Sequence, residues 1–157
     1  ICGGGASGST DGGGDGADAS SSYPDHGQWA MGEYLIVSDA CELTAYATTL
    51  YDSLPTESTV QDSSATGFTV AISEGTAVCT IDGSTFTCEA VPLTVEDIVT
   101  LETEVVISGT IVSSTELALD VDVELLSCSG TWCGLTGLGP YPCHTGLTAS
   151  ANWSSAP

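Results

Sequence analysis

Residues 116–125 of this 157-residue chain alternate without a fault. Glu116, Ala118, Asp120, Asp122 and Glu124 fall on one side, and Leu117, Leu119, Val121, Val123 and Leu125 fall on the other. Because successive side chains of a strand point to opposite faces, this pattern specifies a strand with one wet and one dry face. Upstream, Val99, Leu101, Thr103, Val105, Ile107, Gly109 and Ile111 form the dry face of a partner strand whose other face carries Glu102 and Glu104. Both dry faces sit on odd numbers. An antiparallel pairing that keeps them together therefore needs an odd-length connection, such as Ser113-Ser114-Thr115. The same register sets Glu104 opposite Glu124 and gathers Glu102, Asp120 and Asp122 around them.

That acidic face stands out because the chain has no Lys or Arg and carries a formal net charge of -21. Nucleic acid and anionic membrane surfaces are poor partners for such a chain, and cations are good ones. Carboxylates alone favour calcium over transition metals. Strand-face acids lack the wrapped geometry of a calcium loop, so the expectation at Glu102, Glu104, Asp120, Asp122 and Glu124 is loosely held Ca2+ and no other cofactor.

Seven cysteines with no four-ligand zinc spacing read as a disulfide framework from an oxidising, extracellular compartment. The sharpest local signal is VCTIDGSTFTC. If Gly83-Ser84 forms a type II′ turn, Cys79 falls opposite Cys88 at a non-hydrogen-bonded position, within disulfide reach. An Asp82-Gly83 type I′ turn would put Phe86 there instead, and the register that makes a bridge is preferred. Cys41, Cys128, Cys133 and Cys143 supply two further bridges whose pairing spacing leaves open. Cys2 is left over, for a lipid anchor or an intermolecular bridge.

Residues 1–22 are Gly, Ser, Ala and Asp of low complexity, a tether or assembly arm, and residues 23–157 form the β domain. Asp11, Asp15 and Asp18 do not match the spacing of an EF-hand loop. Further strands are expected from GEYLIVSDACEL within 28–43, from 66–74, from 89–96 with Pro92 marking an edge or a bulge, and from the final TGLTASANW. Three cysteines among Gly and Pro at 128–143 read as a stapled loop, and His144 sits in that loop beside Cys143. The fold class is all-β, a single antiparallel sandwich or an up-and-down barrel with disulfide staples. No stretch is apolar enough for a membrane-spanning helix and no signal peptide is present, as expected of a mature chain.

The tether after Cys2, the GEYLIVS strand, the CTIDGSTFTC hairpin, the VVISGTIVSSTELALDVDVELLSCSG pair and the closing YPCHTGLTASANW together resemble the Cys-containing β-rich surface lipoproteins of myxobacterial and other predatory lineages. The resemblance implies a cell-surface or secreted address and an antiparallel sheet, and it brings no catalytic motif. No G-x-S-x-G or other nucleophile signature occurs around His26 or His144. The chain is read as non-enzymatic. Trp29, Trp132 and Trp153 suit core or rim positions better than a sugar platform. Asn152-Trp153-Ser154 is a weak glycosylation sequon. The expected function is a self-assembling subunit of an extracellular filament, sheath or coat, hence a homo-oligomer or homopolymer. The alternative is a monomeric surface lipoprotein that binds a glycan or a cation.

Overall fold

In a computed structural model, the structure describes residues 23–46, 51–72, 75–96, 98–135, 137–138 and 140–157. The tether 1–22, with Cys2 and its three aspartates, lies outside the described residues.

The strands are β1 (Gly27–Met31), β2 (Leu35–Asp39), β3 (Glu57–Ser64), β4 (Gly67–Ile72), β5 (Gly75–Asp82), β6 (Thr85–Cys88), β7 (Val91–Glu96), β8 (Thr100–Ser113), β9 (Glu116–Ser129) and β10 (Cys143–Ser155). All pairings are antiparallel and run β1-β3-β4-β5-β6-β8-β9-β10, and β10 returns to β1 to close a barrel of eight strands. Neighbours in space are mostly neighbours in sequence, so the up-and-down barrel is the form the all-β chain takes.

Two strand positions are split. β1 and β2 share one edge of β10, β1 against Ala151–Ser155 and β2 against Thr145–Thr148. Likewise β6 and β7 share one edge of β8. At the upper end of the barrel the ring therefore opens between β2 and β7. The excursion that includes the 3-10 helix Leu43–Tyr46 lies there, buries Cys41, Leu43 and Leu54, and is tied to β10 by Cys41–Cys143.

The long hairpin adopts the register that its alternation dictates. Glu104 pairs with Glu124, Val105 with Val123 and Ile107 with Val121. Leu117, Leu119, Val121, Val123 and Leu125 are all buried. The parity correction comes from a bulge before Ser113 and a two-residue turn, Ser114-Thr115, rather than from a three-residue loop. In the β5–β6 hairpin Cys79 pairs with Cys88, and Gly83 takes φ 67, the left-handed value that the first position of a type II′ turn requires. Their Cα atoms stand 3.9 Å apart across the disulfide. The bridges left open by spacing are Cys41–Cys143 and Cys128–Cys133.

Two expectations need amendment, and one strand has no counterpart among them. The segment 28–43 holds two strands, interrupted at 32–34, because β1 must close the barrel against β10 and β3 before the chain moves up the same edge as β2. β3, ESTVQDSS, gave no periodic signal: Val60 and Ser58 are its buried positions, and the rest is small and polar. His144 belongs to β10 and not to the stapled loop.

Candidate functional site

Among the described residues the barrel interior is closely packed. Trp29, Val60, Phe68, Phe86, Leu117 and Leu119 line a void of about 20 Å³, room for no more than a water molecule. Phe68 and Phe86 meet edge to face at 5.3 Å. An eight-stranded barrel is just wide enough for side chains to fill it, and these do.

All five carboxylates of the sequence-derived cation surface lie on the outer face, Glu102 and Glu104 on β8 and Asp120, Asp122 and Glu124 on β9. The register joins just one pair directly, Glu104 and Glu124; Glu102 faces Ser127, Asp120 faces Ser108 and Asp122 faces Val106. Thr94 Oγ1 donates to the Glu102 carboxylate at 3.2 Å. Among the described residues no three His, Cys, Asp or Glu side chains converge in a metal-holding group. The acids form a stripe and not a cup, as expected of side chains that leave a pleated surface roughly parallel to one another.

The sequence reading missed the basic member of that stripe. His144 pairs with Glu124 across β9 and β10, and its Nδ1 lies 2.8 Å from Asp122 Oδ2. The hydrogen bond to Asp122 and that residue's charge raise the imidazole pKa above its ordinary value; burial opposes them, and the charge of Glu124 adds to the rise. The signal was present in the parity of the last strand: Thr145, Leu147 and Ala151 are buried, so His144 must point outward with the acids.

A second polar cluster faces the upper end. Asp39 Oδ1 accepts from Leu43 N at 2.7 Å and from Thr145 Oγ1 at 2.8 Å, while Oδ2 accepts from Thr44 N at 2.8 Å and from the Thr44 hydroxyl. Burial alone would raise the Asp39 pKa. The hydrogen bonds from Thr44, Leu43 and Thr145 outweigh it and leave the group below the ordinary carboxylate value. This carboxylate caps the first turn of the 3-10 helix and is structural.

Among the described residues the hydrogen bonds of the His26 ring go to the Ser63 backbone. The Nε2 atom of His26 accepts from Ser63 N at 2.8 Å, while the Ser63 hydroxyl donates elsewhere, to Pro24 O. Of the tryptophans, Trp29 is buried and donates to Asp25 O, Trp153 is half-buried and donates to His26 O, and Trp132 is 54% exposed. Asn152 is exposed on the outer face of β10, opposite Glu116. The six bridged cysteines are placed as above. No family model, no curated protein and no solved structure matches the chain. No helix among the described residues is long and apolar enough to cross a membrane.

Proposed function

We propose that the chain is a non-enzymatic structural protein of the cell exterior, a self-assembling subunit of a surface filament, sheath or coat whose acidic face gathers cations. The observation that carries this reading is the side-chain-filled barrel interior, where the void beside Trp29, Phe68 and Phe86 is about 20 Å³, whereas the roomier hollow of about 420 Å³ beside Gln28, Thr56, Glu57 and Ile72 opens to the outside. Three disulfides belong to an oxidising compartment. A rigid, stapled module with a packed interior has its outer surface and its arm to work with.

The arm enters at a defined place. Asp25 N donates to Ser114 O at 2.7 Å, so residue 23 lies at the lower end, beside the β8–β9 turn. With six of the seven cysteines bridged, Cys2 is the thiol available to a neighbour or to a lipid. Size-exclusion chromatography of the native protein without reductant tests the reading: an assembling subunit elutes as a polymer, and deletion of residues 1–22 leaves a folded monomer. A truncated protein that still polymerises removes the arm from the mechanism. A full-length protein that runs as a monomer gives the answer to the alternative, a surface lipoprotein that binds a glycan or a cation.

A further inference from the structure

Four of the exposed large apolar side chains lie at the upper, stapled end of the barrel: Ile98 (62% exposed), Leu126 (40%), Trp132 (54%) and Tyr141 (38%). The register brings their backbones together. Thr100 pairs with Ser129 and Leu101 with Cys128, which sets the β7–β8 turn against the Cys128–Cys133 loop. Gly130 confirms the approach, since a Cβ there would stand 3.6 Å from Val99 Cα. Leu126 is the extra residue of the bulge opposite Glu102 and Thr103, and Cys143 pairs with Leu125, which brings Tyr141 to the same rim. Trp132 is the chain neighbour of bridged Cys133, and Tyr141 lies two residues before bridged Cys143. The acidic stripe begins one step below, with Glu102 opposite Ser127 and Glu124 beside His144.

We infer that this end binds an amino-sugar oligosaccharide, with sugar rings stacked on Trp132 and Tyr141 and ammonium groups meeting Glu102 and Glu124. Two considerations select that occupant. The four side chains expose on the order of a few hundred Å², well short of the roughly 800 Å² that each partner of a stable protein interface buries, so the patch suits ring-sized ligands. The charge is predominantly acidic: the chain has no Lys or Arg, and His144, hydrogen-bonded to Asp122 and paired with Glu124, offsets part of the stripe but leaves Glu102 and Glu104 without a basic partner among the described residues, so an acidic glycan would be repelled and a protonated amine attracted. Aromatic faces favour cations as well as apolar C–H surfaces.

Isothermal titration calorimetry of the full chain against a glucosamine hexamer, at mildly acid pH where its amines are protonated, tests the inference. An N-acetylglucosamine hexamer and a galacturonate oligomer serve as controls. The glucosamine oligomer should bind with defined stoichiometry, the acetylated one about tenfold more weakly, and the uronate not at all. Trp132→Ala should weaken binding about tenfold and Glu102→Gln severalfold. Both side chains are exposed, and Tyr141→Ala supplies a further variant should Trp132→Ala fail to fold. Unchanged affinity in Trp132→Ala and Tyr141→Ala overturns the inference, as does equal binding of the three oligomers. An affinity lost in salt and indifferent to both aromatics shows diffuse attraction by the acidic surface, and overturns it too. Oligomeric state does not enter this test, so its failure leaves the assembly reading standing.

Discussion

Asp39 and His144 are both polar residues on β strands, and their environments push them in opposite directions. Asp39 has a lowered pKa, so its contribution to stability is present above the unfolded value and is lost as pH falls through the folded one, below about pH 4. Replacing Asp39 with Ala orphans the Leu43 and Thr44 amides and the buried Thr145 hydroxyl. The cost should be about 1 to 3 kcal/mol in denaturant unfolding at neutral pH and should shrink toward pH 3. His144 has a raised pKa, so its contribution is complete below its unfolded value of about 6.5 and is lost as pH rises through the folded value. Because both partners are about half exposed, the energetic effect is small and the titration itself is the better readout. Imidazole NMR should show the His144 midpoint falling in Asp122→Asn; an unmoved midpoint would mean that the pair does not hold the proton. Gly109 is a third residue with a definite expectation. A Cβ there would lie 2.0 Å from Ala118 O, so Gly109→Ala must push β8 and β9 apart and should destabilise the protein by more than about 2 kcal/mol.

The elements differ in how plainly the sequence announced them. β9 and β8 were legible because each buries one face and wets the other, and a one-residue slip would turn Val121 and Val123 outward. The β5–β6 hairpin was legible because Gly83 and the two cysteines constrain one register together. β3 was hidden: its neighbours β1 and β4 bury only Ser58 and Val60 strongly, so no alternation survives in ESTVQDSS. β2 was read as one run with the residues before it because Leu35, Ile36 and Val37 look like a buried strand, whereas Leu35 and Val37 are more than half exposed at the barrel edge. The site was legible in its acids and not in His144, whose partners come from sequence positions about 20 residues away. The staples should rank by the length of chain they close. Removing Cys79–Cys88 should cost roughly 2 to 3 kcal/mol, Cys128–Cys133 about 2, and Cys41–Cys143, which spans 102 residues, about 4 to 5. Paired Cys→Ser variants compared by urea unfolding check the order, and a Cys41–Cys143 variant as stable as the other two would show that the upper excursion holds without its tie.

At the scale of the whole molecule, the net charge of -21 has no basic side chain to oppose it. Stability should therefore rise with added salt. Since the outer acids form a stripe, with just the Glu104 and Glu124 pair directly opposed, melting curves in sodium, magnesium and calcium chlorides at matched ionic strength should nearly coincide. A large shift peculiar to calcium would instead require a coordinated site. The closure of the barrel has a mechanical meaning as well. Gln28 lies beside Ser155, so the strands that lead out to residues 23 and 157 leave side by side at the lower end, while the Cys128–Cys133 loop lies at the upper one. Tension between residues 23 and 157 would peel β1 from β10 one hydrogen-bonded rung at a time, and little force is needed to open a zipper. Tension between residue 23 and the upper end would load the strands along their length, where many rungs must break together. In the proposed assembly, a subunit held through residues 1–22 and pulled from the opposite end would be loaded in the direction in which this barrel is strong.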